Sequence, residues 1–338
     1  MENQEKQNKR RVRYKGTHQR SYKEKYKELN PEKYPETVEK VIGKGGTPAG
    51  MHISICVKEI LDFFQIEPGQ KGLDATLGYG GHTLEMLKCL KGEGHLYALD
   101  IDPIESVKTK ERLKNLGYGE EMLSIRHLNF ADNDQVVEEA GPFDFILADL
   151  GLSSMQIDNS SSVTFFKRSA ADSPFSGFRR RSKGPSLLYV NPLSGLSICM
   201  DDTPRSARIK SNGPASSTTK LYETIEEALS FIPEKERKEA VKKSCQRTFQ
   251  ALRIDVNSEF EVLYALMEKL PSALKSGGKV AILTFHSGED RIVKKAFKEW
   301  KKAGVYSEIA NDVIRPSAKE CVRNSRAKST KMRWAIKA

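Results

Sequence analysis

With 338 residues, 38% of them hydrophobic, and a mean hydropathy of −0.55, the chain has the composition of a polar globular protein: one large domain, or one domain carrying an insertion. No apolar run reaches the roughly 20 residues needed to cross a bilayer, which excludes a helical membrane protein. The five cysteines (Cys56, Cys89, Cys199, Cys245, Cys321) form no C-x-x-C pair, which argues against a zinc ribbon or a disulfide framework, and no metal is expected.

The net charge of +11 is concentrated rather than spread. One excess lies in Lys9-Arg-Arg-Val-Arg-Tyr-Lys15 and the lysines and tyrosines that follow it; the other runs from Arg315 through Arg323, Arg326, Lys328, Lys331 and Arg333 to Lys337. Cations interleaved with Tyr and Trp suit phosphate contact and base stacking, so a nucleic-acid partner is expected. The start Met1-Glu-Asn-Gln-Glu-Lys lacks the apolar centre of a secretory signal and holds too many acids for a typical transit peptide. A cytoplasmic location is expected; a chloroplast or mitochondrial one would require an unusual or missing presequence.

In chain order, residues 1–47 read as a basic extension, and apolar spacing predicts a helix over Ser54–Phe64. Strands are predicted at Leu73–Leu77, Leu96–Asp100, Leu123–Leu128 and Phe143–Leu150, separated by helical patterns at Leu84–Leu90 and Pro103–Leu116. Residues 160–217, rich in Ser, Arg, Pro and Gly, show no helix or strand period and are expected to be irregular. Helices follow at Lys220–Leu229 and Thr248–Leu270, then a strand at Lys279–Phe285 and a late edge strand at Met332–Ile336. Strands alternating with helices mean a mainly parallel α/β sheet. The core is split into 48–158 and 246–338, with 159–245 as an inserted substrate or lid region.

The densest chemical signal is Asp74-Ala-Thr-Leu-Gly-Tyr-Gly-Gly-His-Thr83. Gly78, Gly80 and Gly81 allow positive φ and close approach of a ligand, and Thr83 is a candidate N-cap of the next helix. The second strand ends in Asp100, placed to accept hydrogen bonds from a ribose diol. A dinucleotide fingerprint would put a third glycine near position 83. Here Thr83 holds that place, and Asp74 ahead of the first glycine repels a pyrophosphate but suits the amino group of a methionine moiety. S-adenosyl-L-methionine is therefore the expected cofactor, well ahead of NAD. The fourth strand empties through Asp149 into Leu150-Gly-Leu-Ser-Ser-Met-Gln156, where Asp149, Ser153 and Ser154 could accept hydrogen bonds from a poorly nucleophilic amine.

These motifs occur in order with His52, Asp100-Ile-Asp-Pro103, Arg247-Thr-Phe-Gln-Ala-Leu-Arg-Ile-Asp-Val-Asn257 and Phe285-His-Ser-Gly-Glu-Asp-Arg291. Together they resemble the MraW-type methyltransferases, which methylate N4 of a decoding-site cytosine in small-subunit ribosomal RNA. The resemblance covers roughly 48–158 and 216–338. It implies a Rossmann-like class I methyltransferase fold with an inserted helical substrate domain. It also implies a substrate within an assembled or late-assembly small ribosomal subunit, and leaves a homodimer open.

By that resemblance Gly80, Gly81 and His82 contact the methionine part of the cofactor, Asp100 the ribose and Phe130 the adenine, while Asp149 and Gln156 complete the site. Arg247, Arg253, Asn257 and Arg291 line the acceptor side, the closing motif adds Arg326, Lys328 and Lys331, and His286 is a candidate for proton handling or for a structural role. Gly288 stands where the family pattern has leucine, and 160–217 replaces part of the family's lid. The alternative reading is therefore a catalytically impaired RNA-binding or ribosome-assembly protein that retains the cofactor fold.

Overall fold

The computed structural model describes residues 54–151, 189–191, 195–197 and 218–338. The expectations for the extension 1–47, for His52, Ser153, Ser154 and Gln156, and for most of 160–217 fall outside these residues. The first half of the core runs α1 (Val57–Phe64), β1 (Lys71–Asp74), α2 (Gly81–Leu90), β2 (His95–Leu99), α3 (Pro103–Asn115), β3 (Leu123–Arg126), a 3-10 turn (Phe130–Asp132), α4 (Asp134–Ala140) and β4 (Phe143–Asp149). Helix α3 starts where sequence chemistry demands: the Asp102 carboxylate accepts the amides of Ile104 and Glu105 at 2.9 and 3.0 Å, with Pro103 in the first turn.

Two short strands, β5 (Tyr189–Asn191) and β6 (Gly195–Ser197), pair antiparallel inside the segment expected to lack strand structure. Next come α5 (Thr218–Ala228), α6 (Glu234–Val256), α7 (Glu259–Ala273), β7 (Leu274–Thr284), α8 (Ser287–Lys302), β8 (Tyr306–Ile309), α9 (Ala318–Arg323) and β9 (Lys331–Lys337). The single helix expected over Thr248–Leu270 is two. Asn257 caps α6, and Ser258 takes a left-handed φ of 49° that turns the chain into α7. Apolar periodicity runs through such a break without registering it.

The main sheet has seven strands in the order β3-β2-β1-β4-β7-β9-β8. β1 to β4 and β7 are parallel, whereas β9 lies antiparallel between β7 and β8. The strand expected at an edge is thus an inner one, and the edge belongs to β8. Between the pairs Phe143–Leu274 and Phe145–Lys279 the register slips, so the Ser276-Gly-Gly278 stretch expected to precede the strand is an irregularity within β7.

Each face of the sheet has its own apolar layer. One is built with α1, α2 and α3 (Ile60, Phe64, Met86, Leu87, Leu113) against Phe145, Leu147 and Leu283. The other is built with α4, α7 and α8 (Val136, Leu266, Leu270, Val293, Phe297) against Ile146, Ala148 and Ile282. Neighbouring residues of β4 face opposite layers, as strand geometry requires. A third, separate cluster joins α5 to α6 through Leu221, Ile225, Leu229, Val241 and Cys245, so this helix pair of the insertion carries its own small core.

Gly72 in β1 lies under the ring of Phe145, where a Cβ would come within 2.1 Å of the ring. Gly72→Ala should destabilise the fold by about 1–3 kcal/mol through overpacking, read as a lowered urea midpoint with unchanged slope. An unchanged midpoint would show that the Phe145 ring yields without strain.

Candidate active site

From β1 the chain proceeds outward to β2 and β3, then returns to place β4 on the other side of β1. In parallel α/β sheets such a reversal opens a crevice at the carboxyl ends of the strands. Asp74, Asp100 and Asp149 stand at or just beyond the ends of β1, β2 and β4.

Asp74 is almost fully enclosed, with 1% of its surface exposed. One carboxylate oxygen accepts the Thr83 hydroxyl at 2.6 Å and the other accepts the Thr76 amide at 3.0 Å. Burial pushes its carboxyl up, while Thr83, His82 and Thr76 pull the other way. Asp74, expected to meet the cofactor's amino group, also ties the end of β1 to the first turn of α2. Thr83 is correspondingly not the N-cap: α2 begins at Gly81 behind Gly80, and the hydroxyl that would have capped a helix starting later is turned onto Asp74.

The glycine turn is held from several sides. Gly78 and Gly80 have φ of 48° and 68°, a region costly for a side chain. The Gly78 amide donates to Asp100 Oδ2 at 2.9 Å, and the Thr109 hydroxyl of α3 donates to the Gly78 carbonyl at 2.8 Å. Arg112, also from α3, donates to the Tyr79 carbonyl. The other Asp100 oxygen accepts the Asp102 amide at 2.8 Å. Burial raises the Asp100 carboxyl, and these two amides oppose the rise. Each of its oxygens keeps a lone pair and the side chain is only half-buried, so the donor set fits a ribose diol. Phe130 lies half-buried at the 3-10 turn after β3, on the same rim.

The His82 ring is held between protein groups on both sides. The residue is 8% exposed, and its Nε2 lies 2.9 Å from the Ile55 carbonyl. A carbonyl only accepts, so that nitrogen carries a proton and Nδ1 faces Asp149 Oδ2 at 3.6 Å. Asp149 also receives the Gly151 amide at 3.2 Å, and its own amide donates to Thr76 Oγ1 at 2.7 Å. Burial raises the Asp149 carboxyl, and Asp74 and Glu289 add to the rise, whereas His82 and the Gly151 amide lower it. The segment before α1 is locked on its far side as well, because the Cys56 amide donates to Glu320 Oε1 at 2.9 Å.

On the acceptor side, the expected RNA-contacting residues divide. Arg253 forms a two-pronged ion pair with Glu259, Nε to Oε1 at 2.8 Å and one terminal nitrogen to Oε2 at 3.0 Å. Asn257 reaches the same carboxylate at 3.4 Å. Lys331 lies 3.1 Å from Asp290, which Arg333 also engages at 2.7 Å. Partial burial pushes Asp290 up, but the two cations outweigh it and hold its carboxyl low. These side chains serve the interior, whereas Arg247, Arg291 and Lys328 are exposed. The side chain of Arg326 is outside the described set.

His286 is the N-cap of α8. Its Nδ1 accepts the amides of Gly288 and Glu289 at 3.2 and 3.4 Å, while Glu289 Oε2 reaches back to the amides of Phe285 and His286. This reciprocal box leaves the ring proton on Nε2, 3.0 Å from Glu289 Oε1 but without hydrogen-bond alignment. The geometry is that of the structural reading of His286. A Cβ at Gly288 would come within 2.7 Å of the Phe260 ring, so the departure from leucine makes room for a ring of α7. Thr109 carries part of the geometry and drew no attention in the sequence, while Thr76, Glu289 and Glu320 were visible there without a role, because hydroxyls and lone acids have no pattern of their own.

This sheet order, the glycine turn after β1 and the acid after β2 define a Rossmann-like class I S-adenosylmethionine-dependent methyltransferase. The chain belongs to the MraW methylase family, whose model matches residues 49–171 and 205–338. It is 60% identical to ribosomal RNA small subunit methyltransferase H 1 of Lachnoclostridium phytofermentans, covering 100% of this chain and 95% of that one. It is also 54% identical to the protein of the same name from Agathobacter rectalis, over 99% of each chain. Identity to methyltransferase H 2 of Alkaliphilus metalliredigens is 55%, over 100% of both. S-adenosylmethionine is the cofactor.

Thr83→Val keeps the shape but withdraws a hydrogen bond from a buried carboxylate, at a cost of about 1–3 kcal/mol. The expected outcome is a lower denaturation midpoint together with weaker S-adenosylhomocysteine binding by calorimetry. Unchanged binding would show that the Asp74 clamp does not shape the cofactor turn.

Proposed function

We propose that this protein transfers a methyl group from S-adenosylmethionine to N4 of a decoding-site cytosine in small-subunit ribosomal RNA, acting in the cytoplasm on an assembled or late-assembly subunit. Two lines support the reading: the full-length relatives named ribosomal RNA small subunit methyltransferase H, and Asp149 at the carboxyl end of β4 beside the glycine turn. The Asp149 carboxylate is the observation that carries it. Bound S-adenosylmethionine supplies an electrophilic methyl group on a positively charged sulfur.

The protein's part begins with seating that cofactor. Asp100 takes the ribose hydroxyls, the main chain at Gly80, Gly81 and His82 meets the methionine part, and Phe130 lies against the adenine. Asp74 and Gly78 maintain the turn. A cytosine drawn out of its stack would set its exocyclic amine against Asp149, with Ser153, Ser154 and Gln156 completing the loop. The amine's lone pair is delocalised into the ring. A carboxylate accepting one N–H restrains the amine and raises its electron density as the N–C bond forms and the C–S bond breaks. The nitrogen becomes acidic once methylated, so its proton leaves to solvent or through Asp149, and S-adenosylhomocysteine departs. Burial raises the Asp149 carboxyl, and the neighbouring His82 and the Gly151 amide oppose the rise.

The test is incubation with labelled S-adenosylmethionine and undermethylated small subunits, then digestion and identification of the modified nucleoside. N4-methylcytidine is expected; cofactor binding without transfer would replace this reading with a non-catalytic RNA-binding protein. Asp149→Asn should lower kcat at least about 100-fold while S-adenosylhomocysteine still binds.

The acid limb of the pH–rate profile follows the ionisation of Asp149, whose pKa is raised, so it should lie above the ordinary aspartate value of about 3.9. His82 lowers that pKa, so His82→Gln should carry the limb to higher pH. A limb that stays put would separate His82 from the ionisation of Asp149.

A further inference from the structure

Helix α8 leaves the carboxyl end of β7, the end of the sheet at which the cofactor crevice opens, and runs away from it for about 24 Å. Its inner face is committed to the core through Ile292, Val293 and Phe297. Its outer face is chemically uniform. Of its eight exposed residues, six are cations (Arg291, Lys294, Lys295, Lys298, Lys301, Lys302), one is Glu299 and one is Ser287. Lys295 lies 3.8 Å from Glu299, with both side chains well exposed, a weak pair at best. Among the described residues, Arg291, Lys294, Lys298, Lys301 and Lys302 have no ion-pair partner.

Compare α6, the other long lysine-bearing helix. There Glu234, Glu236 and Glu239 alternate with the lysines on the outer face, and Lys243 pairs with Glu239 at 3.4 Å. That pattern is a solvated, self-compensating surface. On α8 the charges at positions 291, 294, 295, 298, 301 and 302 recur at intervals of three and four, which stacks them along one side of the helix about 5–6 Å apart. The last-turn lysines are favoured by the helix dipole, but Arg291, Lys294 and Lys295 lie too far from the C-terminus to share that benefit. No large apolar side chain is among the exposed residues, so the ridge has no group to insert into a bilayer, and its complement is a polyanion held by charge alone.

We propose that the outer face of α8 is a phosphate-binding track for the ribosomal RNA that flanks the target nucleotide. The inference rests on the RNA-substrate reading above and extends it to a surface outside the active site. Arg291 marks the end of the track nearest the crevice, and Lys301 and Lys302 its far end, about 16 Å away along the helix axis. Contacts of this kind set affinity and register without reading sequence. Binding by the intact protein should therefore be strongly salt-dependent.

The experiment compares the full chain with the triple variant K294Q/K298Q/K302Q. Binding to labelled small-subunit ribosomal RNA is measured by fluorescence anisotropy across a salt series, with S-adenosylhomocysteine affinity as the check on folding. Removing three phosphate contacts should make the slope of log K against log salt shallower by about two and weaken binding roughly tenfold or more at moderate salt. Cofactor affinity should stay unchanged. A parallel variant on α3, K108Q/K110Q/K114Q, where Lys108 pairs with Glu105 and Lys110 with Glu120, should leave the slope within error.

An unaltered slope in the α8 variant would overturn the proposal, as would equal losses from the two helices. Should the parent protein bind anionic phospholipid vesicles and not RNA, and the α8 variant lose that binding, the track would be a membrane surface and the proposal would also fall. Methyl transfer is scored separately. A protein that methylates subunits while its α8 variant binds RNA normally refutes the track alone, and an inactive protein whose RNA binding still depends on α8 refutes only the catalytic reading.

Discussion

Two carboxylates at the ends of adjacent parallel strands set the terms for the rest of this structure. Asp74 and Asp149 stand at the ends of the paired strands β1 and β4, largely out of water, and the Asp74 charge adds to the cost of ionising Asp149. An isolated buried charge would cost several kcal/mol, so each must be supplied with donors. Thr83 and Thr76 supply Asp74. The Gly151 amide supplies Asp149, with the His82 ring 3.6 Å away, and Thr76 links the two strand ends by donating its amide to one aspartate and accepting the amide of the other. The glycine turn carries the chain from Asp74 at the end of β1 to Thr83 in the first turn of α2. Its left-handed residues are the backbone cost of that route.

The same network explains why the chain's distant parts must assemble together. His82 is braced by the Ile55 carbonyl, and the adjacent Cys56 amide is held by Glu320. The entry segment, the cofactor turn and the region before β9 are therefore one hydrogen-bonded unit. Packing repeats the link, with Phe63 of α1 stacked on Trp334 of β9 at 4.7 Å. β7 and β9 complete the sheet from sequence that follows the insertion, and α5 and α6 bury their own small cluster.

Charge divides along similar lines. Arg253, Lys331 and Arg333 are spent inside the protein, fixing the break between α6 and α7 and tying α8 to β9. The cations of α8 are not. A count of lysines and arginines treats both groups alike, because only the fold determines which of them has an acid within reach.

Local pattern was enough for much of this protein. The alternation of strands and helices, the glycine turn and the acids at the ends of the second and fourth strands were legible because each depends on short-range rules: strand length, apolar spacing and φ at glycine. The single helix read over Thr248–Leu270 failed at Ser258, where a left-handed residue keeps the apolar period on both sides. The last strand was legible as a strand but not as an inner one, since its position depends on β8, which pairs with it from outside. Asp74 and His82 were legible as site residues, but the protein partners that hold them were not. Ile55 and Asp149 reach His82 from distant parts of the chain, and although Thr76 and Thr83 lie within Asp74's own motif, only the fold of the turn brings their donors onto its carboxylate. By itself, then, the sequence determined the fold class, the cofactor turn and the family. Tertiary structure alone decided which polar side chains are consumed in holding that turn and which cations remain exposed, because pairing is a property of distance in space and not of order along the chain.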